Sequence, residues 1–326
     1  MRTLGLVFAT VAHIPVMPPR LRRRTTSKPR SSQYKLSQWL LAARPKTLGA
    51  AIVPFLVGSA LAHRSGNLAW HLVLPAFPAL LLIQVGTNLV NDAVDFQRGA
   101  DTAERLGPLR VTQAGIFKAS TVHAAGVGCF ALAALCIAPA MLARGWRLVA
   151  VYVSSSLAGY GYTGGPWPFA YSGLGDIVVV GFFGIVATAG VRFIHTGGVL
   201  FDRPTIVAGL QIGCLAAELL AVNNIRDVAG DSKVGKRTLA VRFGLTFARV
   251  EVALLAAFTF ALGIAQWPRL GMQRAATWPL IASPASALLV WRVAITQPSR
   301  EYNRLLILAA IGHMFFGIVL TVAIAT

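Results

Sequence analysis

The chain has 326 residues, 56% of them hydrophobic and only 13% charged, with a formal net charge of +19. Soluble domains carry about 25% charged residues, and several apolar runs here approach the ~20 residues that cross a bilayer; a soluble globular protein is excluded and a polytopic membrane protein is expected. The positive balance is read as loop charge that sets orientation and meets anionic lipid, and no nucleic-acid module accompanies it, so nucleic acid is not an expected partner.

Residues 1–36 form a basic, Pro-rich tail around "MPPRLRRRTTSKPRSS", expected to be disordered and distinct from a single transmembrane domain over 37–326. Its charge follows its apolar start, the reverse of a secretory signal. An organelle transit peptide and an internal start at Met17 are the two other readings of this tail.

Nine apolar segments follow, at 47–63, 71–91, 117–139, 146–163, 174–195, 204–223, 247–267, 277–293 and 303–325. Backbone groups in lipid must be bonded within a helix or a closed barrel. Strand alternation is lacking, so an all-α bundle is expected. With the amino-terminal tail on the cytoplasmic side, alternation of nine helices puts 23 Lys and Arg there and 7 opposite, the bias that cytoplasmic loops show. Cys129, Cys136 and Cys214 have no metal-site spacing and are read as small core residues. The six histidines are scattered, and no His-based metal site is expected.

The acids are not scattered. None precedes Asp92, and then Asp92, Asp95, Asp101 and Glu104 fall within thirteen residues. The second concentration is "NNIRDVAGDSKVGKRTLAVRFG", residues 223–244. Asn88, Asp92 and Asp95 are spaced i, i+4, i+7; Asn223, Asp227 and Asp231 are spaced i, i+4, i+8. On a helix each set falls on one stripe. Each ends an apolar segment, and the topology puts both on the cytoplasmic side. Carboxylates held so close repel unless a cation intervenes. Oxygen-only donors favour Mg²⁺ or Ca²⁺ over zinc, and Mg²⁺ completes its shell with water and phosphate oxygens. Two facing stripes would hold a diphosphate between them. Arg98, Arg105 and Arg110 follow the first set, and Lys233, Lys236 and Arg237 the second; such cations clamp phosphate oxygens and stabilise a departing anion.

These stretches resemble the UbiA-type membrane prenyltransferase superfamily, and most of all its 1,4-dihydroxy-2-naphthoate polyprenyltransferase branch. The resemblance is carried by "ARPKTLGA" (43–50), "NDAVDFQRGADT" (91–102), "YTGGPWPFAYSGLGD" (162–176) and the second acidic stretch, and covers roughly residues 37–325. It implies nine transmembrane helices around a central cavity, Mg²⁺ as cofactor, a polyprenyl diphosphate as donor and an aromatic acceptor, here 1,4-dihydroxy-2-naphthoate, prenylated with loss of CO₂ on the way to menaquinone or phylloquinone. Carried over by motif, Asn88, Asp92, Asp95, Asp227 and Asp231 would hold metal and diphosphate, with Asn223 matching Asn88. Asp101 would act through a loop contact.

Arg44 and Lys46, at the start of the first helix, are candidates for the acceptor carboxylate, and Tyr162 for a ring or hydroxyl contact to the acceptor. Tyr152, Tyr160 and Tyr162 are placed to stabilise an allylic cation. Glu218, inside the sixth segment, is read as a hydrogen-bond partner between helices. Trp167 and Trp291 are read as interface anchors, and Phe182 and Phe183 as packing residues. Two rivals stand beside this reading. One is the same reaction on 4-hydroxybenzoate or homogentisate. The other is a cation transporter, whose acids would lie near mid-membrane. The expected location is a bacterial inner membrane, an organelle membrane being the alternative, with the active site facing the cytoplasm.

Overall fold

The computed structural model describes residues 36–102 and 105–326; the tail as far as residue 35, and Glu104, lie outside them. Among the described residues every regular element is helical. We number the longer ones α1 (Leu36–Ala43), α2 (Gly49–Arg64), α3 (Trp70–Gln97), α4 (Ala119–Arg144) and α5 (Trp146–Gly161). α6 (Gly175–Thr196), α7 (Arg203–Lys233), α8 (Leu239–Gln266), α9 (Gln273–Ile295) and α10 (Tyr302–Ala325) complete the bundle.

Seven of these are long and apolar enough to cross a membrane, and an eighth crossing arises if α1 and α2, bent by 53°, act as one span. The expected crossing at 146–163 is the 16-residue α5. That is about 24 Å at 1.5 Å per residue, short of the ~30 Å hydrocarbon core. It still runs the whole way back. A single residue, Gly145, separates α5 from α4, and beyond the far end of α5 the Thr163 hydroxyl donates to Asn91 Oδ1, near the end of α3, at 2.6 Å. The expected nine-helix count is therefore not reproduced by length and composition, because one return leg is abbreviated and the first span is broken at Arg44–Leu48.

Both acidic stretches lie on the last turns of long helices, since α3 continues to Gln97 and α7 to Lys233. Pro45 closes off α1, because the residue before a proline is disfavoured in the helical region. Arg44 takes φ 53°, ψ 67°, the only non-glycine positive φ among the described residues. A thin strip of small residues brings α6 against α7. A Cβ at Gly209 would lie 2.7 Å from Ile185 Cα, and one at Gly213 would lie 2.7 Å from Val180 O. Facing them, Val180–Val186 of α6 is π-helical. The wider turn rotates the helix locally, so Gly184 meets α7 while Phe182 and Phe183 face inward. Gly184→Leu is expected to force α6 off α7. Overpacking of this kind costs about 1–3 kcal/mol, to be read as a lower melting temperature in detergent.

Candidate functional site

The inner face of α3 at its acid end carries Gln84, Asn88, Asn91 and Asp95, all of which line one cavity. Their spacing of 4, 3 and 4 residues is one helical stripe. Asn88 Nδ2 donates to Ala43 O at 3.0 Å and to Thr47 Oγ1 at 2.9 Å, tying α3 to the break between α1 and α2. Asp95, 3% exposed, accepts from the Tyr171 hydroxyl at 2.9 Å and from Arg110 Nη2 at 3.3 Å. Asp92 behaves differently. It lies at the edge of the stripe, and its carboxylate takes the N–H groups of Val111 and Thr112, each at 3.3 Å, and the Thr112 hydroxyl. It holds the loop after α3 in place rather than lining the cavity.

The second stretch has the same division of labour. Asn223 and Asn224 line the cavity, while Asp227 is gripped by Arg226 through Nε at 2.8 Å and Nη2 at 2.6 Å. Arg226 is 1% exposed and also donates to Asn223 Oδ1 at 2.7 Å and Asn303 Oδ1 at 2.8 Å. Asn303 in turn donates to Leu106 O at 2.9 Å. One buried guanidinium thus fastens α7 to α10 and to the loop of the first stretch. Asp231 is paired with Lys236 at 3.5 Å through Oδ1, and its Oδ2 is buried without a hydrogen-bond partner.

The two stretches meet at Tyr171, whose hydroxyl holds Asp95 while Lys236 Nζ lies 5.7 Å from its ring centre. Burial, then the nearby Asp95 carboxylate, raises the Tyr171 pKa, so this phenol remains a donor. Arg110 sits among carboxylates of both sets. Burial lowers its pKa, but Asp101, Asp95, Asp92 and Asp227 outweigh burial and raise it. Asp101 pairs with Arg105 at 2.5 Å and with Arg110 at 3.3 Å, a contact within the loop.

The cavity measures ≈ 290 Å³ and has two unlike ends. Its polar end joins the α3 and α7 groups to Arg44, Lys46, Arg110 and Lys236, and Arg44 Nη2 is buried with no hydrogen-bond partner. Its wall beyond them is apolar, with Ile137, Leu148, Phe182, Phe183 and Val191. Phe183 packs, as expected, against the core cluster of Val179, Ala216 and Ala217, and both Phe182 and Phe183 also line the cavity. Tyr152 and Tyr162 line it as well, whereas Tyr160 packs edge-on against His123.

Four expected diphosphate cations lie elsewhere. Arg105 serves Asp101. Arg98 covers the Tyr171 ring at 4.8 Å and donates to Gly165 O. Arg237 is exposed, its backbone N–H donating to Tyr171 O, and Lys233 is exposed. Trp167 and Trp291 are also exposed. Glu218 Oε1 is buried with no hydrogen-bond partner among the described residues. Sequence reasoning missed Asn91, Asn224, Tyr171 and Arg226. The first two follow from extending the stripes upstream or by one residue. Tyr171 comes from a loop that no period marks, and Arg226 looks in sequence like any loop cation.

Among the described residues no three His, Cys, Asp or Glu side chains converge as a metal site. The donors near the polar end are instead Asp95, which lines the cavity, and Asp231, which is paired with the lining Lys236, together with amide oxygens. That set fits Mg²⁺, which takes one or two carboxylates and leaves the rest of its shell to water and phosphate. The orphaned Asp231 Oδ2 is one free donor.

The model of the UbiA prenyltransferase family matches residues 51–319. A 1,4-dihydroxy-2-naphthoate octaprenyltransferase of Haemophilus influenzae is 35% identical over 248 residues, 71% of this chain and 79% of that protein. An enzyme of the same name from Mycobacterium tuberculosis is 30% identical over 79% of this chain and 95% of its own. Among solved structures, a UbiA homolog from Archaeoglobus fulgidus bound to GPP and Mg²⁺ superposes with a TM-score of 0.63 at 16% identity, covering 89% of this chain and 100% of that one.

Proposed function

The chain belongs to the UbiA prenyltransferase family, and from that membership and the two-ended cavity we propose that it transfers a polyprenyl group from an allylic polyprenyl diphosphate to 1,4-dihydroxy-2-naphthoate, with loss of CO₂. The observation that carries the proposal is one cavity with cations, carboxylates and amides at its polar end and Phe182 and Phe183 on its apolar wall. A diphosphate matches the first environment and a prenyl chain the second. A wall so apolar suits a hydrocarbon and does not suit an ion pathway. The names and identities of the relatives support naphthoate as the acceptor.

The residues then divide the work. Lys236 and Arg110 hold diphosphate oxygens and take up charge as the prenyl C–O bond breaks. When bound, Mg²⁺ would be held by Asp95, Asp231 and the neighbouring amide oxygens, and would supply Lewis-acid stabilisation of the same leaving group. The ring faces of Tyr152 and Tyr162 stabilise the allylic cation, and the apolar wall keeps water from it. Arg44, with its unpartnered nitrogen, and Lys46 hold the acceptor carboxylate. The ring carbon bearing that carboxylate attacks, and the bond to the carboxylate breaks to release CO₂. The loop-charge asymmetry supports an acid end on the cytoplasmic side of a bacterial inner membrane.

The test is an acceptor panel on one purified preparation in lipid, with Mg²⁺ and a polyprenyl diphosphate. Prenylated naphthol and an equal amount of CO₂ are expected from 1,4-dihydroxy-2-naphthoate. Preferred turnover of 4-hydroxybenzoate or homogentisate would remove the naphthoate assignment.

A further inference from the structure

A second, small cavity lies behind the first. It measures ≈ 20 Å³ and is enclosed by α7, α8, α9 and α10. Glu218 of α7, 3% exposed, and Ser286 of α9 face it, and Glu218 Oε1 and Ser286 Oγ are buried with no hydrogen-bond partner. His313 of α10 lines both this cavity and the large one. The space exceeds the ~10–15 Å³ that one water needs, and polar partners for a water are present. An ionisable side chain at this depth is costly and marks function more often than packing. The apolar residues around it, Phe260, Leu289 and Phe316 among them, give Glu218 no cation to pair with.

His313 is 5% exposed and lines both cavities. A neutral imidazole carries one donor nitrogen and one acceptor nitrogen, so it can take a proton from a hydroxyl. Glu218 lies five residues before Asn223 on α7, about 7.5 Å along the axis. His313 shares the small cavity with Glu218 and also lines the large cavity, whose polar end carries Arg44.

We propose that His313 is the base that takes and returns the hydroxyl proton of a hydroxyarene acceptor, and that Glu218, through a water shared with Ser286, positions and stabilises its protonated ring. This rests on the prenyl-transfer reading above. On attack the acceptor O–H bond breaks and its proton passes to the free nitrogen of His313. The O–H electron pair enters the ring, the new C–C bond to the prenyl carbon forms, and the C–O bond to diphosphate breaks with its pair leaving on oxygen. When CO₂ departs, the pair of the broken C–C bond returns to the oxygen, which takes back the proton. The proton count is unchanged, so a closed, water-poor pair suffices. Cys214 lies next to Glu218; Glu218 and His313 are the ionisable side chains among the described residues that line the small cavity.

The experiment compares wild type, His313→Ala, His313→Gln and Glu218→Gln in lipid, using the hydroxyarene that wild type prenylates best. Loss of a general base costs about 10²–10⁴-fold. His313→Ala is expected to lower kcat by at least ~10²-fold, with the KM for the diphosphate unchanged, and its rate is expected to climb with pH as the acceptor ionises unaided. Glu218→Gln is expected to show a smaller loss and a displaced pH profile. Melting temperature and diphosphate binding separate a misfolded variant from an inactive one, and His313→Gln retains a polar side chain of similar reach if the Ala variant unfolds. A folded His313 variant with the wild-type kcat and pH profile would overturn the relay. Wild type that prefers a benzenoid acceptor overturns only the naphthoate assignment, and wild type that prenylates no hydroxyarene overturns both.

Discussion

Asp95→Ala is expected to lower prenyl transfer by about 10²–10³-fold, the loss typical when one preorganised group at a developing charge is removed. The structure separates Asp95 from the other acids of its stretch. It lines the cavity, while Asp92 is occupied by Val111 and Thr112 and Asp101 by Arg105 and Arg110. Removing Asp95 also frees Tyr171 and leaves Arg110 and Lys236 with one carboxylate fewer. The check is kcat at saturating diphosphate across a Mg²⁺ titration, with a higher half-saturating Mg²⁺ expected in the variant. Full turnover with an unchanged titration would mean that the metal and diphosphate are held elsewhere.

Arg226→Ala is expected to destabilise the fold more than any other single truncation at this end of the bundle. Arg226 is buried and does not itself line the cavity, yet it is shared by Asp227, Asn223 and Asn303. Taking away one partner of a buried pair leaves an uncompensated charge, at a cost of about 3–5 kcal/mol. Asp227 would be that charge, and α10 would lose its tie to α7 and, through Asn303, to Leu106. Thermal melting in detergent reads the loss. The double variant Arg226→Met with Asp227→Asn is expected to recover part of it, because no unpaired carboxylate remains. If the single and double variants melt together, the hub is not carrying the stability assigned to it.

Asp95 was visible in the sequence because scarce acids in a basic, apolar chain stand out, and because helix periodicity places Asn88 and Asp95 on one stripe. Arg226 was not, since nothing in its neighbourhood tells a buried hub from a solvated loop cation. The same blindness affected the expected phosphate clamp. Six cations were adjacent in sequence, but only Arg110 and Lys236 reach the cavity. Where a loop folds back is decided by its long-range bonds, such as Asp92 to Thr112 and Asn303 to Leu106.

What the sequence determined by itself was the class of molecule, the run of apolar helices and the pairing of two acid-bearing helix ends, because hydrophobicity and the 3.6-residue period act locally. The tertiary structure alone decided which carboxylates face inward, that α5 makes its return in 16 residues, that a π-turn aims Phe182 and Phe183 at the cavity, and that His313 stands between two cavities. Those features depend on contacts between residues far apart in the chain, at ranges where no sequence period reports which side chain meets which.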